Sequence, residues 1–432
     1  MTNIPGSEQW RKYPLNMAGF DPVRMDGELE HGRIDLRSKD LFDEISESSL
    51  EVLESGGQGG GLSVKTFENE GLLDDHLKEK EISRNRYYAV YQEHSWGKMS
   101  IHREMFMKLL SQFQVFSYFL DVVYSFCEKV RPKNEGYNAF SDSISSDKSS
   151  GSGYGEEKST PSIPSKLIIE TLSPESCYIL RYVEQHQRPG RGNPWSVRQT
   201  GVYHKFEIPT QNNTWIFLQP CTRFIERLEQ LNGMDCNFSV HLLLLSSSVG
   251  SWREYIDWLE EKFTELSGVA ISSRLGNHQG PAREDFPLDF SDIQRAEDLR
   301  IKLLHLSFTL DLGTEAIADM KRGAEKLQAI PEAASLKDEL SQYTASLSRF
   351  SSTMLSHKRR AELLLRYLEG TSLLLQNILD ERRSEAVFRI AEITGKQSTT
   401  MLDLSMKSTW DARSMRTITV VALVYLPPTF VA

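Results

Sequence analysis

MLDLSMKSTWDARSMRTITVVALVYLPPTFVA, Met401 to Ala432, is the stretch on which the reading of the fold turns. It opens as a charged amphipathic helix and closes as an apolar run, Ile418 to Ala432, in which no residue is charged. Fifteen residues of helix rise roughly 22 Å, whereas a bilayer core of roughly 30 Å needs about 20 residues. A buried core helix is the plain alternative. Against it, the run carries no glycine stop or polar tail, and Pro427 and Pro428 sit inside it, which membrane helices accept more readily than soluble ones. Lys407, Arg413 and Arg416 precede it, as the positive-inside rule asks of a cytosolic flank. The expectation is the first part of a transmembrane helix, 418–432, cut before its end.

Met415, Arg416, Thr419, Ala422, Pro427, Thr429, Phe430, Val431 and Ala432 lie in one ungapped register. In that register the segment resembles the stalk-to-membrane junction of the CorA family of divalent-cation channels. In that family an aliphatic run, a proline and Thr-Phe-Ile/Val-Ala lead into a Gly-Met-Asn loop. The resemblance implies a homopentamer with a cytosolic α/β/α domain, a very long helix running into the membrane and a second membrane helix. The Gly-Met-Asn signature and that second helix are not in this sequence. The Ser-Trp…Phe…Leu-Leu…Val-Phe…Phe-Leu-Asp pattern around Trp96 to Asp121, with Tyr91, and the segment Pro194 to His204 also resemble the divergent fungal CorA-like branch.

Composition is that of a globular, somewhat polar chain: 432 residues, 39% hydrophobic and 25% charged. A net charge of −10 argues against nucleic acid as a general partner. Cys127, Cys177, Cys221 and Cys236 form no CxxC pair, so neither a zinc knuckle nor a disulfide framework is signalled and a reduced, cytosolic setting is the default. The N-terminus lacks an apolar targeting core.

Upstream, residues 1–85 read as polar, turn-rich and partly disordered, with Ser55 to Gly61 as a flexible hairpin or linker rather than a phosphate loop, since no Gly-Lys-Ser/Thr follows. Residues 86–132 hold a strand, YYAVYQ, and a helix capped at Ser100. Its apolar stripe, Ile101, Met105, Leu109, Phe113, Phe116, Leu120 and Tyr124, is broken near Ser117 and reads as core. Residues 133–166, rich in serine, glycine and acid, read as a disordered insertion.

Residues 167–290 carry the α/β signal, with LIIET, CYILRYV, GVYHKFEI, TWIFLQP and FSVHLLLLSS as strands and helices over Thr222–Leu231 and Ser251–Leu266. His204 and Arg198 invite assignment to a site, but a histidine beside a strand aromatic is more often a satisfied structural residue, and no HExxH or paired-carboxylate spacing accompanies it. Residues 291–366 read as an antiparallel helix pair, capped at Ser291 and turned at Ile330-Pro331-Glu332. The stalk, 367–432, begins between Arg359 and Gly370. The fold class is therefore α+β: a mixed sheet covered by helices, a helix pair, then one very long stalk helix entering the membrane.

Stepping back from Thr429 by three and four gives Leu426, Ala422, Ile418 and Met415, a single helical stripe. By the resemblance these five residues line a pore: a hydrophobic collar that closes by dewetting, with Thr429 as the hydroxyl that meets a hydrated cation through water. A coiled-coil seam is the alternative from spacing alone. No catalytic, metal-ligating or cofactor-binding set is assignable, and an enzyme is not expected. Two functions follow: a CorA-like channel or transporter for a divalent cation, Mg2+ first, in an integral membrane protein with a cytosolic N-terminal domain, or a non-conducting oligomeric scaffold derived from the same fold. Partners are further copies of the chain, pentameric by the resemblance, and membrane lipid.

Overall fold

The computed structural model describes residues 9–17, 26–43, 49–55, 62–78, 84–130, 136–148, 170–186, 192–230, 237–273 and 288–425. They fall into two compact units, residues 1–260 with 303–363 and residues 261–302 with 364–432.

The first unit is built on a seven-stranded sheet in the order β2-β1-β3-β7-β6-β5-β4. The strands are β1 (Leu50–Ser55), β2 (Leu62–Phe67), β3 (Asn85–Val90), β4 (Phe140–Lys148), β5 (Glu170–Gln185), β6 (Trp195–Glu207) and β7 (Asn212–Leu218). Every pairing is antiparallel except β3 with β7 at the centre. Strand alternation sends successive side chains to opposite faces. Leu50, Val52, Tyr88, Val90, Cys177, Ile179, Tyr203, Ile216 and Leu218 pack on one face with α1 (Gly27–Leu41), α2 (Glu70–Lys78), α3 (Arg103–Gln112) and α4 (Phe119–Val123). The other face carries Tyr178, His204, Trp215 and Phe217. It meets α5 (Thr222–Gln230), α6 (Ser239–Val249), the start of α7 (Ser251–Ser272) and a stretch of α9 (Lys337–Tyr425), through the pairs Phe217–Phe224, Tyr178–His241, Trp195–Tyr255 and Phe238–Tyr343. The sheet is thus covered on both faces, as the hydrophobicity of its central strands requires.

Several expectations are corrected. The polar stretch 1–85 contributes α1, α2, β1 and β2, and Tyr13, Ile34, Leu41, Val52, Phe67 and Leu73 are buried in the core. One or two apolar residues per element suffice where the rest of the element faces water, and so sparse a pattern has no readable period. The glycine cluster, residues 56–61, lies outside the described residues, between strands paired at Ser55↔Leu62. Within the expected insertion 133–166, residues 140–148 form β4. An edge strand needs one ladder and tolerates Ser and Asp, so low hydrophobicity does not exclude it.

Of LIIET, Leu167 to Ile169 lie outside the described residues; from Glu170 the chain runs to Gln185 as one strand that takes in CYILRYV. The β6 ladder begins at Glu175↔Lys205, so the missing amide of Pro174 breaks no rung of it. FSVHLLLLSS is the helix α6, not a strand. A uniformly apolar run has no period, and its serines are satisfied within a helix: Ser247 and Ser248 donate to Leu243 O and Leu244 O, both at 2.8 Å.

Ser100 does not cap α3. Its amide donates to Tyr91 O at 2.7 Å and its carbonyl accepts from Ser49 at 2.8 Å, so the helix starts later, after His102. That helix ends before Phe113, and Gln114 at φ 50° breaks the stripe earlier than Ser117.

Nor does Ser291 cap α8 (Phe290–Gln328). Asp289 accepts from the Ser291 amide at 2.7 Å while its own amide donates to Asp292 at 3.1 Å, a reciprocal box of carboxylates. α8 and α9 run antiparallel where Lys358 meets Asp311 at 2.7 Å. No break marks a stalk between Arg359 and Gly370, because α9 is one helix of 89 residues. Gly370 has open space around it, and its helix cost of about 1 kcal/mol is small beside the hydrogen bonds of an established helix.

Candidate functional site

In the second unit, α9 buries Leu364, Leu368, Leu375 and Ile378, and then its cover stops. From Ala386 to Leu423 every residue is exposed. A polar helix could stand so in water, but this one carries Phe388, Ile390, Ile393, Leu404, Trp410, Met415, Ile418 and Leu423. Apolar surface on that scale marks an interaction face.

Of the expected pore-lining residues, Met415, Ile418 and Ala422 lie on one face of α9, exposed, with Met415 at 66% and Ile418 at 62%. Leu426 and Thr429 lie outside the described residues. Continued backward by threes and fours, the stripe passes through Asp411, Ser408, Leu404, Met401, Gln397, Ile393 and Ile390. Asp411 is the one charged residue of that series. Thr417 and Thr419 turn their hydroxyls onto Arg413 O and Met415 O, at 2.9 and 2.7 Å, and so add no donor to a neighbouring surface. No helix among the described residues is long and apolar enough to cross a membrane.

In the first unit, a row of polar side chains crosses the helix-covered face of the sheet, and sequence reasoning did not assemble it. Tyr178 OH bonds His241 Nδ1 at 2.7 Å, His241 Nε2 bonds His204 Nδ1 at 3.1 Å, and His204 Nε2 bonds Asn213 Oδ1 at 2.9 Å. Asn213 donates to Asn85 and Asn237, at 2.9 and 3.0 Å. Asn237 reaches Glu339 at 3.3 Å. The imidazole of His204 lies flat on Trp215, ring centres 3.7 Å apart and 11° from parallel. Burial pushes His204 down to about 4, against the raising effect of its hydrogen bond to Asn213 Oδ1. Burial, with His204 beside it, holds His241 well below the usual histidine value. Both rings are therefore neutral at neutral pH. A cavity of about 60 Å³ adjoins them, lined among others by Phe140, Phe206, Met320, Leu327 and Tyr343. No signal linked these residues in advance, since positions 178, 204, 213, 241 and 339 meet only through strand register and helix packing.

The remaining candidates are structural. Arg198 pairs with Glu184 at 2.8 Å across β5 and β6. Burial, then the Glu30 carboxylate, raises Asp121, and burial with Glu51 raises Tyr91. Cys127, Cys177 and Cys221 are free thiols, and burial pushes Cys221 up to about 11, away from reactive thiolate chemistry. Cys236 lies outside the described residues. Among the described residues, no group of His, Cys, Asp and Glu is placed to hold a metal ion.

A family model described as CorA-like transporters matches residues 6–271, more than half of the chain. No curated protein matches it. Among solved structures, the complete CorA magnesium transporter from Methanocaldococcus jannaschii is similar at 10% identity and a TM-score of 0.40, over 88% of this chain and 84% of that one. The soluble domain of CorA from the same organism is similar at 11% identity and 0.41, over 78% and 99%. The full-length CmaX protein is similar at 12% identity and 0.44, over 82% and 84%.

Proposed function

This chain belongs to the family of CorA-like transporters, and from that membership we propose that it is one subunit of a channel for a divalent cation, Mg2+ first among them. The α/β unit is its cytosolic domain and the C-terminal part of α9 is its stalk and the start of its pore helix. Family membership also makes it a transporter rather than an enzyme.

The observation that carries this reading is the uncovered helix. A helix exposed all round from Ala386 to Leu423, yet rich in large apolar side chains, needs copies of itself to cover them. A closed ring buries one face of every copy alike, because a heterologous contact whose rotation closes repeats identically about a single axis. In a pentamer the Met415, Ile418, Ala422, Leu426 and Thr429 stripe faces the axis. Its apolar members form a collar that excludes water until the bundle widens, and Thr429 meets the ion through its hydration shell, since Mg2+ sheds water reluctantly. Asp411 then forms an acidic ring on the same face, ahead of the collar. Conduction follows the electrochemical gradient and needs no covalent step.

The test is flux. Full-length protein, reconstituted into liposomes loaded with a Mg2+-responsive dye, should admit Mg2+ down its gradient, and light scattering in detergent should give five copies. A pentamer without flux leaves the non-conducting scaffold as the function. A strict monomer removes the pore altogether.

A further inference from the structure

The row from Tyr178 to Glu339 has a single consistent set of donors. Asn213 Nδ2 donates to two side-chain oxygens, so Asn213 Oδ1 can only accept, and His204 Nε2 must carry a hydrogen. A neutral His204 then presents a bare Nδ1, which accepts from His241 Nε2–H. His241 Nδ1 is bare in turn and accepts from the Tyr178 hydroxyl. At the other end, Asn237 Nδ2 donates to Glu339 Oε2, and the Phe238 amide donates to Glu339 Oε1 at 3.2 Å. Glu339 stands in the first turn of α9. Its neighbour Tyr343 packs on both His241 and Phe238, at ring-centre distances of 5.8 and 5.5 Å. A one-way run of hydrogen bonds thus leads from β5, across β6 and β7, to the start of the long helix.

We propose that this run is an acid-operated latch, in which protonation of the His204–His241 pair leaves an unmatched charge in the buried row and frees the first turn of α9 from Asn237 and Phe238. The inference does not depend on conduction.

The groups that face the two rings leave the added charge unmatched. Tyr178 comes from β5, Trp215 from β7, Phe238 from the turn before α6, and Tyr343 from α9. Charged groups stand on or beside this cavity, among them Glu175, whose carboxylate is held by the Tyr203 hydroxyl at 2.7 Å and by Lys205 at 3.5 Å. Glu339 is engaged by Asn237 and Phe238. Asp142 of β4 lines the same cavity, but Lys326 of α8 already holds its carboxylate, at 2.7 Å. A buried imidazolium with no partner anion is costly, so the rings must turn or separate. His241 cannot turn without disturbing Tyr343.

Deuterium exchange of the full-length protein, read on peptides covering Lys337–Tyr343 and corrected for intrinsic pH dependence, should rise at least tenfold between pH 7 and pH 4.5. In a His204→Gln/His241→Gln variant the rise should fall below twofold, although the carboxylates of Glu339 and Asp142 are still present. A full-sized step in that variant assigns it to a carboxylate and overturns the latch. Tyr178→Phe, a milder change, removes the hydroxyl that can turn to accept from a protonated His241 Nδ1, and so makes protonation harder. The step should then move down by at least half a pH unit, and an unmoved midpoint overturns the proposal even if the double variant fails to fold.

Discussion

His241 donates its Nε2 hydrogen to His204 Nδ1 across 3.1 Å, with both rings buried and neutral and one of them laid flat on Trp215. The arrangement sets a pH dependence on folding itself. An unfolded chain binds a proton on each ring near the ordinary histidine value, about 6.5. The native chain resists until about 4 at His204, and His241 is also lowered. Between those values the unfolded state holds more protons, so stability rises with pH there and is lost as pH falls. The urea midpoint should therefore drop between pH 7 and pH 5. In His241→Gln that dependence should shrink, and an equal slope in both proteins would count against the neutral pair.

Glu339 offers a second probe. Its carboxylate accepts from the Phe238 amide and from Asn237, and both donors are sheltered from water. Glu339→Ala should cost about 1–3 kcal/mol, the desolvation penalty of donors left unpaired. Glu339→Gln keeps one carbonyl acceptor and should lose less. Equal losses in the two variants, measured by denaturant melts at pH 7.5, would show that packing rather than hydrogen bonding sets the effect.

Much of the helical cover was legible in sequence because period and burial coincide. Trp252, Tyr255, Ile256 and Leu259 recur at helical spacing, and all are buried on α7. β6 and β7 were legible for a related reason: central strands are apolar on both faces. What escaped was set by partners rather than by local pattern. β4 is a strand because β5 pairs along its whole length, not because Phe140 to Lys148 prefers to be one. α6 is a helix because the sheet is already complete, and Leu242 to Leu245 gives no period to read. Three of the proposed pore-lining residues were easy to place, since a long uninterrupted helix fixes its own faces. The histidine row was not, because its members lie up to 161 positions apart, from Tyr178 to Glu339.

Gly201 is a position where a side chain has no room. A Cβ there would lie 2.8 Å from both Phe126 Cε2 and Val122 Cγ1, and 3.2 Å from Leu218 Cβ. The backbone of β6 passes directly under the α4 region, and the atoms above it belong to packed core side chains at 0% exposure. Gly201→Ala should thus destabilise by about 1–3 kcal/mol through overpacking. A thermal melt matching the native protein would mean that α4 can lift away at no cost. Gly370→Ala, with nothing within 4 Å of its Cβ, should be neutral or slightly stabilising in the same assay.

Leu375 and Leu404 separate the folding of α9 from its assembly. Leu375 is fully buried within its unit, whereas Leu404 stands 61% exposed on the stripe that includes Met415 and Ile418. A carboxylate at the first site must be desolvated inside the fold. Leu375→Asp should therefore lower the melting transition sharply and reduce helicity. At the second site the single chain leaves the carboxylate in water, so Leu404→Asp should change the stability of the isolated subunit by no more than about 0.5 kcal/mol. In a ring of copies the same substitution adds a second ring of like charges to that of Asp411 on the axis, and does so where apolar surface was to be covered. Leu404→Asp should then keep the circular dichroism of the native chain while moving its mass toward monomer and abolishing Mg2+ flux. If the mass and the flux both survive, the stripe does not face other copies, and the uncovered surface of α9 needs a different occupant.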